Sequence, residues 1–399
     1  MLVICFTVFA ATVPVSIILP MLPYIGQEYG AGPFEVSLLF AVMPAITIFV
    51  APFWGRLSDR IGRKRVYVTT LAASSVAFAM FGFADSLNGM FLARFLQGLA
   101  NGSVAVSYAM AADSSNSGTR ARDIGFVSGA MAMGFFLGPV LGGFFMSSEP
   151  FNHSPPAYFA SGLCALSTVI AFINLKETRH PHGRVTHVED ATGSATPAPA
   201  PEPLVSRATL ILLILLFLIA GFTSATTQFA YTFWAQGALH WAPSDVSFGM
   251  GAIGAAYLIA TVGLVGPLSK RFGDERTLII GATVDVIGMA LFLIAHSDAL
   301  SGIGGILVSI TGGGMWNTVL SSIISKTSPP HQTGMMLGLS NGANMVGRVI
   351  GPLTGGLLLA TGLTVPFAAN LTLTVVVVIA GLRIATLARL ARAWDPRAS

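Results

Sequence analysis

The chain has 399 residues, of which 53% are hydrophobic and only 10% charged, whereas soluble domains carry about 25% charged residues. Too few charges remain to cover a water-facing surface, so the composition excludes a soluble enzyme or binding module and places the chain in a bilayer. The net charge of +4 does not point to nucleic acid, because the basic residues sit in short segments between apolar runs with no aromatics interleaved.

A helix needs about 20 apolar residues to cross the roughly 30 Å hydrocarbon core. About twelve such segments follow one another, near 1–21, 35–54, 66–85, 89–111, 123–146, 156–175, 208–236, 244–265, 277–296, 301–325, 334–360 and 365–388. Runs this long and this continuously apolar satisfy their backbone groups as helices rather than as barrel strands. The expected fold is therefore all-α and integral to the membrane. The first segment lacks a basic leader and a small-residue cleavage site, so it reads as a retained span rather than a signal peptide. No polar tail precedes it, which predicts a native N-terminus upstream of Met1. Cys5 and Cys164 both fall inside apolar segments and read as small hydrophobes, neither a disulfide nor a metal pair.

Between spans two and three, Gly55 to Val66 gathers five basic residues, Arg56, Arg60, Arg63, Lys64 and Arg65, around one acid, Asp59. A second charged turn, Gly266 to Thr277, starts 211 positions later (266 − 55). Span four sets Arg94, Gln97 and Asn101 on one helix face. A lone arginine in a membrane helix costs roughly 2.5–3.5 kcal/mol, so Arg94 must face protein or water, and either a structural partner or a coupling role would satisfy it. Span five carries a small-residue row, Gly134, Gly138, Gly142 and Gly143, with Pro139 bending the helix. The same pattern returns in span eleven at an offset of 213 (338 − 125).

Two independent motifs thus give nearly one period, and the chain reads as a duplication. The expected organisation is an N-terminal six-helix bundle over 1–175, a linker over 176–207, a C-terminal six-helix bundle over 208–388 and a tail over 389–399. The linker is polar and holds Pro197, Pro199 and Pro201 in alternation, which disfavours a helix and stiffens an extended chain. Outside the spans, Lys and Arg fall in alternate loops and in the tail, and the other loops have none. By the positive-inside rule both termini are cytoplasmic.

Further polar stripes lie in the second half: Ser224, Gln228 and Tyr231 in span seven, Trp316 and Asn317 in span ten, Asn341, Asn344 and Arg348 in span eleven, with Tyr257 and Trp234 as weaker additions. Interhelical hydrogen bonding accounts for each stripe alone. Together with the span-four stripe they outline a weakly polar, partly aromatic cavity between the halves. Asp285, mid-span in span nine, is the one carboxylate expected to be fully immersed, since Glu35, Asp85 and Asp298 fall near span ends. It can carry protons or belong to a structural ion pair. His153, His240 and His296 cluster with no acid or cysteine, so neither a metal site nor an intramembrane enzyme is expected. No G-x4-G-K-S/T loop is present, which argues against an ATP-driven pump, and no cofactor is expected.

The first charged turn resembles the G-x-L-x-D-R-x-G-R-K/R loop of the major facilitator superfamily, through Gly55, Leu57, Asp59, Arg60, Gly62, Arg63 and Lys64. That resemblance implies two pseudo-symmetric six-helix bundles and a conformational latch, in which Asp59 caps the start of span eleven and Arg56 or Arg60 pairs with Asp113. The span-five row resembles the G-x3-G-P-x2-G-G element of the superfamily's exporters, and Leu92-x-Arg94-x2-Gln97-Gly98 its proton-linked fourth-helix motif. The tetracycline/proton antiporters share both charged turns, the span-five row, the His331-Gln332-x-Gly334 turn and an acid matching Asp285. They also hold acids in spans one and three, where this chain has Ala11 and Ala77. The reading is therefore a monomeric, proton-coupled exporter of small amphipathic compounds in a bacterial inner membrane, with Arg94 and Asp285 as coupling residues. An importer or facilitator of a sugar or organic anion, suggested by Arg94 and Arg348, and a non-transporting membrane sensor are the alternatives.

Overall fold

The computed structural model describes residues 1–115, 120–146, 152–178, 207–327 and 333–393. Most of the linker (179–206), the His331-Gln332 turn and the end of the tail lie outside these residues. Among the described residues every regular element is helical, and the elements form twelve helices. They are α1 Leu2–Glu28, α2 Pro33–Ile61, α3 Arg63–Gly82, a broken α4 (Leu87–Ala100 and Ser103–Asp113), α5 Arg120–Met146 and α6 Ser154–Asn174. The second half has α7 Arg207–Leu239, α8 Pro243–Phe272, α9 Asp274–Ala295, α10 Ala299–Thr327, α11 Thr333–Leu359 and α12 Val365–Ala393.

Ten of the twelve are long and apolar enough to cross a membrane. The other two are α4 and α11, the latter diluted by glycines, two asparagines and Arg348. The sequence predicts one span over 89–111, but α4 breaks at Asn101 and Gly102. Here the Trp54 side chain occupies the space a Cβ on Gly102 would need, 2.8 Å from Trp54 Cβ. The break frees the Leu99 carbonyl, and the Trp54 indole N–H donates to it at 2.7 Å. A part-buried backbone group thus keeps a partner where the helix is broken.

Within the first half α1 packs on α5 and α6, α3 on α4 and α6, and α2 on α4; within the second, α7 packs on α11 and α12, and α9 on α10 and α12. Between the halves α2 meets α11 and α5 meets α8. The repeat maps α2 onto α8 and α5 onto α11, so these two contacts are images of each other. The detail follows: a Cβ on Gly143 would lie 2.8 Å from the Phe248 ring, and one on Gly356 2.7 Å from Ser37. Both partners sit at the repeat offsets (356 − 143 = 213, 248 − 37 = 211).

The rest of the span-five row faces its own bundle. A Cβ on Gly134 would lie 2.8 Å from Thr12 and one on Gly138 2.9 Å from the Val13 carbonyl, while the Ser16 hydroxyl donates to the Gly134 carbonyl at 2.9 Å. The row therefore sets how closely α5 approaches α1. Gly138→Ala is expected to destabilise the fold by about 1–3 kcal/mol, the usual cost of overpacking a tight interface. Gly129→Ala, whose Cβ would meet nothing within 4 Å, should be neutral or stabilising. Thermal unfolding of the two purified variants in detergent checks the contrast.

Contacts between the halves concentrate at the end away from the two charged turns. There Gln27 and Gln236 exchange hydrogen bonds of 3.0 and 2.8 Å, the Tyr24 hydroxyl donates to the Trp241 carbonyl at 3.3 Å, and Phe40 packs edge-on against Phe229 at 5.3 Å. At the charged-turn end, Cβ atoms on Gly125, Gly129, Gly263, Gly266, Gly338 and Gly342 would meet nothing within 4 Å. The bundles are closed at one end and parted at the other.

Candidate functional site

The two charged turns hinge on glycines with positive φ, +111° at Gly62 and +82° at Gly273, which are 211 residues apart (273 − 62). Such angles suit glycine, because a Cβ would clash there. Each glycine ends one helix and starts the next, and the residue after it makes an ion pair with the end of the neighbouring helix. In the first half Arg63 Nε meets Asp113 Oδ2 at 3.0 Å; in the second Asp274 Oδ2 meets Lys326 Nζ at 2.6 Å. The positions correspond (274 − 63 = 211, 326 − 113 = 213), but the charges are exchanged.

Exchange of charge has a consequence for the helix ends. Asp274 at the start of α9 and Lys326 at the end of α10 both complement the helix dipoles, whereas Arg63 and Asp113 oppose them. The first half supplies the missing acid from elsewhere: Glu177, just after α6, accepts from the Arg63 and Lys64 backbone N–H groups at 2.7 and 3.2 Å. The joint around α3 is thus a set of three chain segments held by Arg63, Asp113 and Glu177.

This corrects the latch expected from the resemblance. Among the described residues Asp113 pairs with Arg63, which opens α3 beside the end of α4, where the resemblance implies Arg56 or Arg60. Asp59 pairs with Arg63 Nη1 at 2.7 Å in its own bundle and stays 55% exposed. Among the described residues Asp59 makes no ion pair with α11. A Cβ on Gly55 would meet nothing within 4 Å.

In the first bundle Arg94 is 1% exposed, with Nε donating to the Leu39 carbonyl and Nη1 to Gln97 Oε1, both at 3.0 Å. Asn101 donates to Thr47 Oγ1 at 3.3 Å, and Gln97 Nε2 has no partner. The span-four stripe therefore ties α4 to α2 rather than opening into a cavity.

The second bundle holds the more developed site. Glycines on α9 and α10 interdigitate, so that a Cβ on Gly281 would lie 2.9 Å from the Trp316 nitrogen and one on Gly305 2.6 Å from the Phe292 nitrogen. That approach brings Asp285, 5% exposed, against α10: Oδ1 accepts from the Ser309 hydroxyl at 2.5 Å and Oδ2 from the Trp316 indole at 3.0 Å. Among the described residues no Lys, Arg or His forms an ion pair with Asp285. A cavity of about 30 Å³ opens on this carboxylate.

Of the expected cavity residues, Ser224, Tyr257, Trp316 and Asn317 meet here, around the expected coupling acid Asp285. The others do not. Tyr231 lies at the closed end beside Trp234, ring centroids 6.1 Å apart; Asn344 donates to the Phe217 carbonyl at 3.2 Å; Gln228 and Arg348 are half-buried and Asn341 exposed elsewhere on their helices. The cavity also uses Thr223, Thr227, Ser309, Asn370 and Thr374, which sequence reasoning missed. The signal was present, since Thr223 with Thr227 and Asn370 with Thr374 are four apart and so share a helix face.

Paired bundles closed at one end and parted at the other, with an interior carboxylate in the second, make the architecture of a membrane transporter that works by alternating access. The chain belongs to the Major Facilitator Superfamily, whose sequence profile matches residues 4–237 and 213–397. It is 27% identical over 350 residues to the class G tetracycline resistance protein of Vibrio anguillarum, covering 85% of this chain and 84% of that one. It is 24% identical over 370 residues to the quinolone resistance protein NorA of Staphylococcus aureus, covering 91% of each. Among solved structures, a bacterial homolog of the human lysosomal transporter Spinster, inward-facing and occupied, superposes with a TM-score of 0.76 at 14% identity over 99% of this chain and 98% of that one. The human organic anion transporter MFSD10 does so with 0.73 at 17% identity over 95% and 98%.

Proposed function

We propose that this transporter exports small amphipathic, drug-like compounds across a bacterial inner membrane in exchange for protons. The observation that carries the reading is Asp285, an interior carboxylate with no ion-pair partner among the described residues, in a chain similar to tetracycline and quinolone resistance proteins. A buried acid left unpaired demands a positive charge, and a proton taken from one side and released to the other supplies it. Arg94 is the weaker coupling candidate, because two protein acceptors already engage its guanidinium.

By the positive-inside rule the charged turns and both termini face the cytoplasm. The parted end is then the cytoplasmic one, and the conformation is inward-open. The Asp285 cavity, at about 30 Å³, holds little more than a water, so the compound itself is expected to bind in the space between the bundles. Ala11 and Ala77, where the tetracycline antiporters have acids, argue that tetracycline is not the compound carried. The organic-anion alternative rested on Arg94 and Arg348, and Arg94 is spoken for by α2 and Gln97.

The test is accumulation of candidate drugs in everted vesicles with an imposed pH gradient, abolished when the gradient is collapsed. Uptake indifferent to the gradient for every compound overturns proton coupling. A second measurement follows from the closed end: Gln27→Cys with Gln236→Cys, joined by a short thiol crosslinker in a background free of Cys5 and Cys164, should stop transport, and reduction of a cleavable linker should restore it.

A further inference from the structure

The Asp285 cavity is also lined by a second polar group, one that lacks a hydrogen-bond partner among the described residues. Asn370 of α12 is fully buried, and its Nδ2 donates to the Thr223 carbonyl at 3.1 Å and to Thr227 Oγ1 at 2.9 Å. A carbonyl only accepts, so this fixes which way the amide points. Asn370 Oδ1 is left buried with no hydrogen-bond partner. Protonating Asp285 neutralises the carboxylate without placing a ligand in the cavity, whereas a bound cation would also engage Asn370 Oδ1.

A cation answers both. The donors that converge here are one carboxylate (Asp285), one amide oxygen (Asn370) and the hydroxyls of Ser309, Thr374, Thr223 and Thr227. They are hard oxygens only, the set that suits alkali and alkaline-earth ions rather than transition metals. No Lys, Arg or His lines the cavity from α7, α8, α9, α10 or α12, and its other titratable group is the Tyr257 phenol. Arg348 of α11 is not among the residues that line it. With a single negative charge, a divalent ion would stay uncompensated in a low-dielectric site, while a monovalent one is matched. Room for about 30 Å³ suits one small ion better than a drug-sized compound.

We propose that the cavity between α7, α9, α10 and α12 binds a monovalent metal cation of the sodium class, held by Asp285 and Asn370 Oδ1 in competition with the proton. The inference rests on the reading of Asp285 as the coupling carboxylate and adds a second ion to it.

The test uses the purified full chain in detergent, its thermal unfolding followed in NaCl against choline chloride at equal ionic strength. NaCl should raise the unfolding temperature of the wild type at pH 8, since a ligand of the native state stabilises it. The half-saturating NaCl concentration should climb up to about tenfold per pH unit as protons compete, rise at least about tenfold in Asn370→Ala, and the response should vanish in Asp285→Asn. Equal unfolding temperatures in NaCl and choline chloride, or a NaCl response kept in Asp285→Asn, overturn the proposal. Should either variant fail to fold, the competition between Na⁺ and protons in the wild type decides alone. Uptake driven by a pH gradient in Na⁺-free vesicles separates the two readings. If it persists while the NaCl effect is absent, only the cation site falls; if it is absent while NaCl stabilises, proton coupling falls.

Discussion

Asp285→Asn is expected to reduce pH-gradient-driven drug uptake into everted vesicles by at least about tenfold, a loss of 1.4 kcal/mol or more of coupling. Asparagine keeps the size of the side chain and one oxygen to accept from Ser309 or Trp316, but it cannot take up a proton. The same variant separates a coupling acid from a structural one. Removing one partner of a buried ion pair destabilises by about 3–5 kcal/mol, whereas removing a buried charge that has no partner is neutral or stabilising. The Asp285 side chain is bonded by Ser309 and Trp316 and, among the described residues, forms no ion pair with Lys, Arg or His, so in Na⁺-free buffer the variant's unfolding temperature should hold or rise while transport is lost. Exchange of drug for drug across the membrane without a pH gradient should persist. Gradient-driven uptake that survives the substitution would remove Asp285 from the mechanism.

Much of this architecture was legible in the sequence because the membrane simplifies the rules. Long apolar runs can only be helices there, and two motifs repeating at offsets of 211 and 213 fixed the duplication before any contact was known. The structure repays that reading at Gly62 and Gly273, and at Gly143 and Gly356, whose partners also repeat. What the sequence hid was pairing across space. Arg56, Arg60 and Arg63 are equally charged and close in the chain, and only the position of Arg63 at the first residue of α3 selects it for Asp113. Glu177, 114 residues from Arg63 in the chain, gave no local hint of its role as a cap. The polar stripes were ambiguous for a related reason. A stripe marks a helix face that meets protein, and it does not say whether the meeting is a cavity, as at Asp285 and Trp316, or a closed seam, as at Arg94 and Gln97.

The charge-exchanged joints lead to the second large effect. Arg63→Asp should cut transport on the order of tenfold and destabilise the inward-open state by about 1–3 kcal/mol, less than a fully buried pair because Arg63 and Asp113 remain 17% and 28% exposed. It deletes the bonds to Asp113, Asp59 and Ser58 and sets a new carboxylate among three existing ones, counting Glu177. Adding Asp113→Lys rebuilds the ion pair with the polarity that Asp274 and Lys326 already use in the other half, and now both charges favour their helix ends. Repair should still be partial, since Glu177 would cap a helix that carries its own acid and would repel it. Glu177→Gln added to the exchanged pair relieves that repulsion, so the triple variant is expected to unfold nearest the wild-type temperature, although Glu177→Gln alone in the wild type should destabilise by removing the charged cap. Unfolding in detergent and vesicle uptake across these variants measure the coupling directly. If the triple variant is no better than Arg63→Asp alone, the two joints are not equivalent, and Arg63 acts on something other than Asp113 and the start of α3.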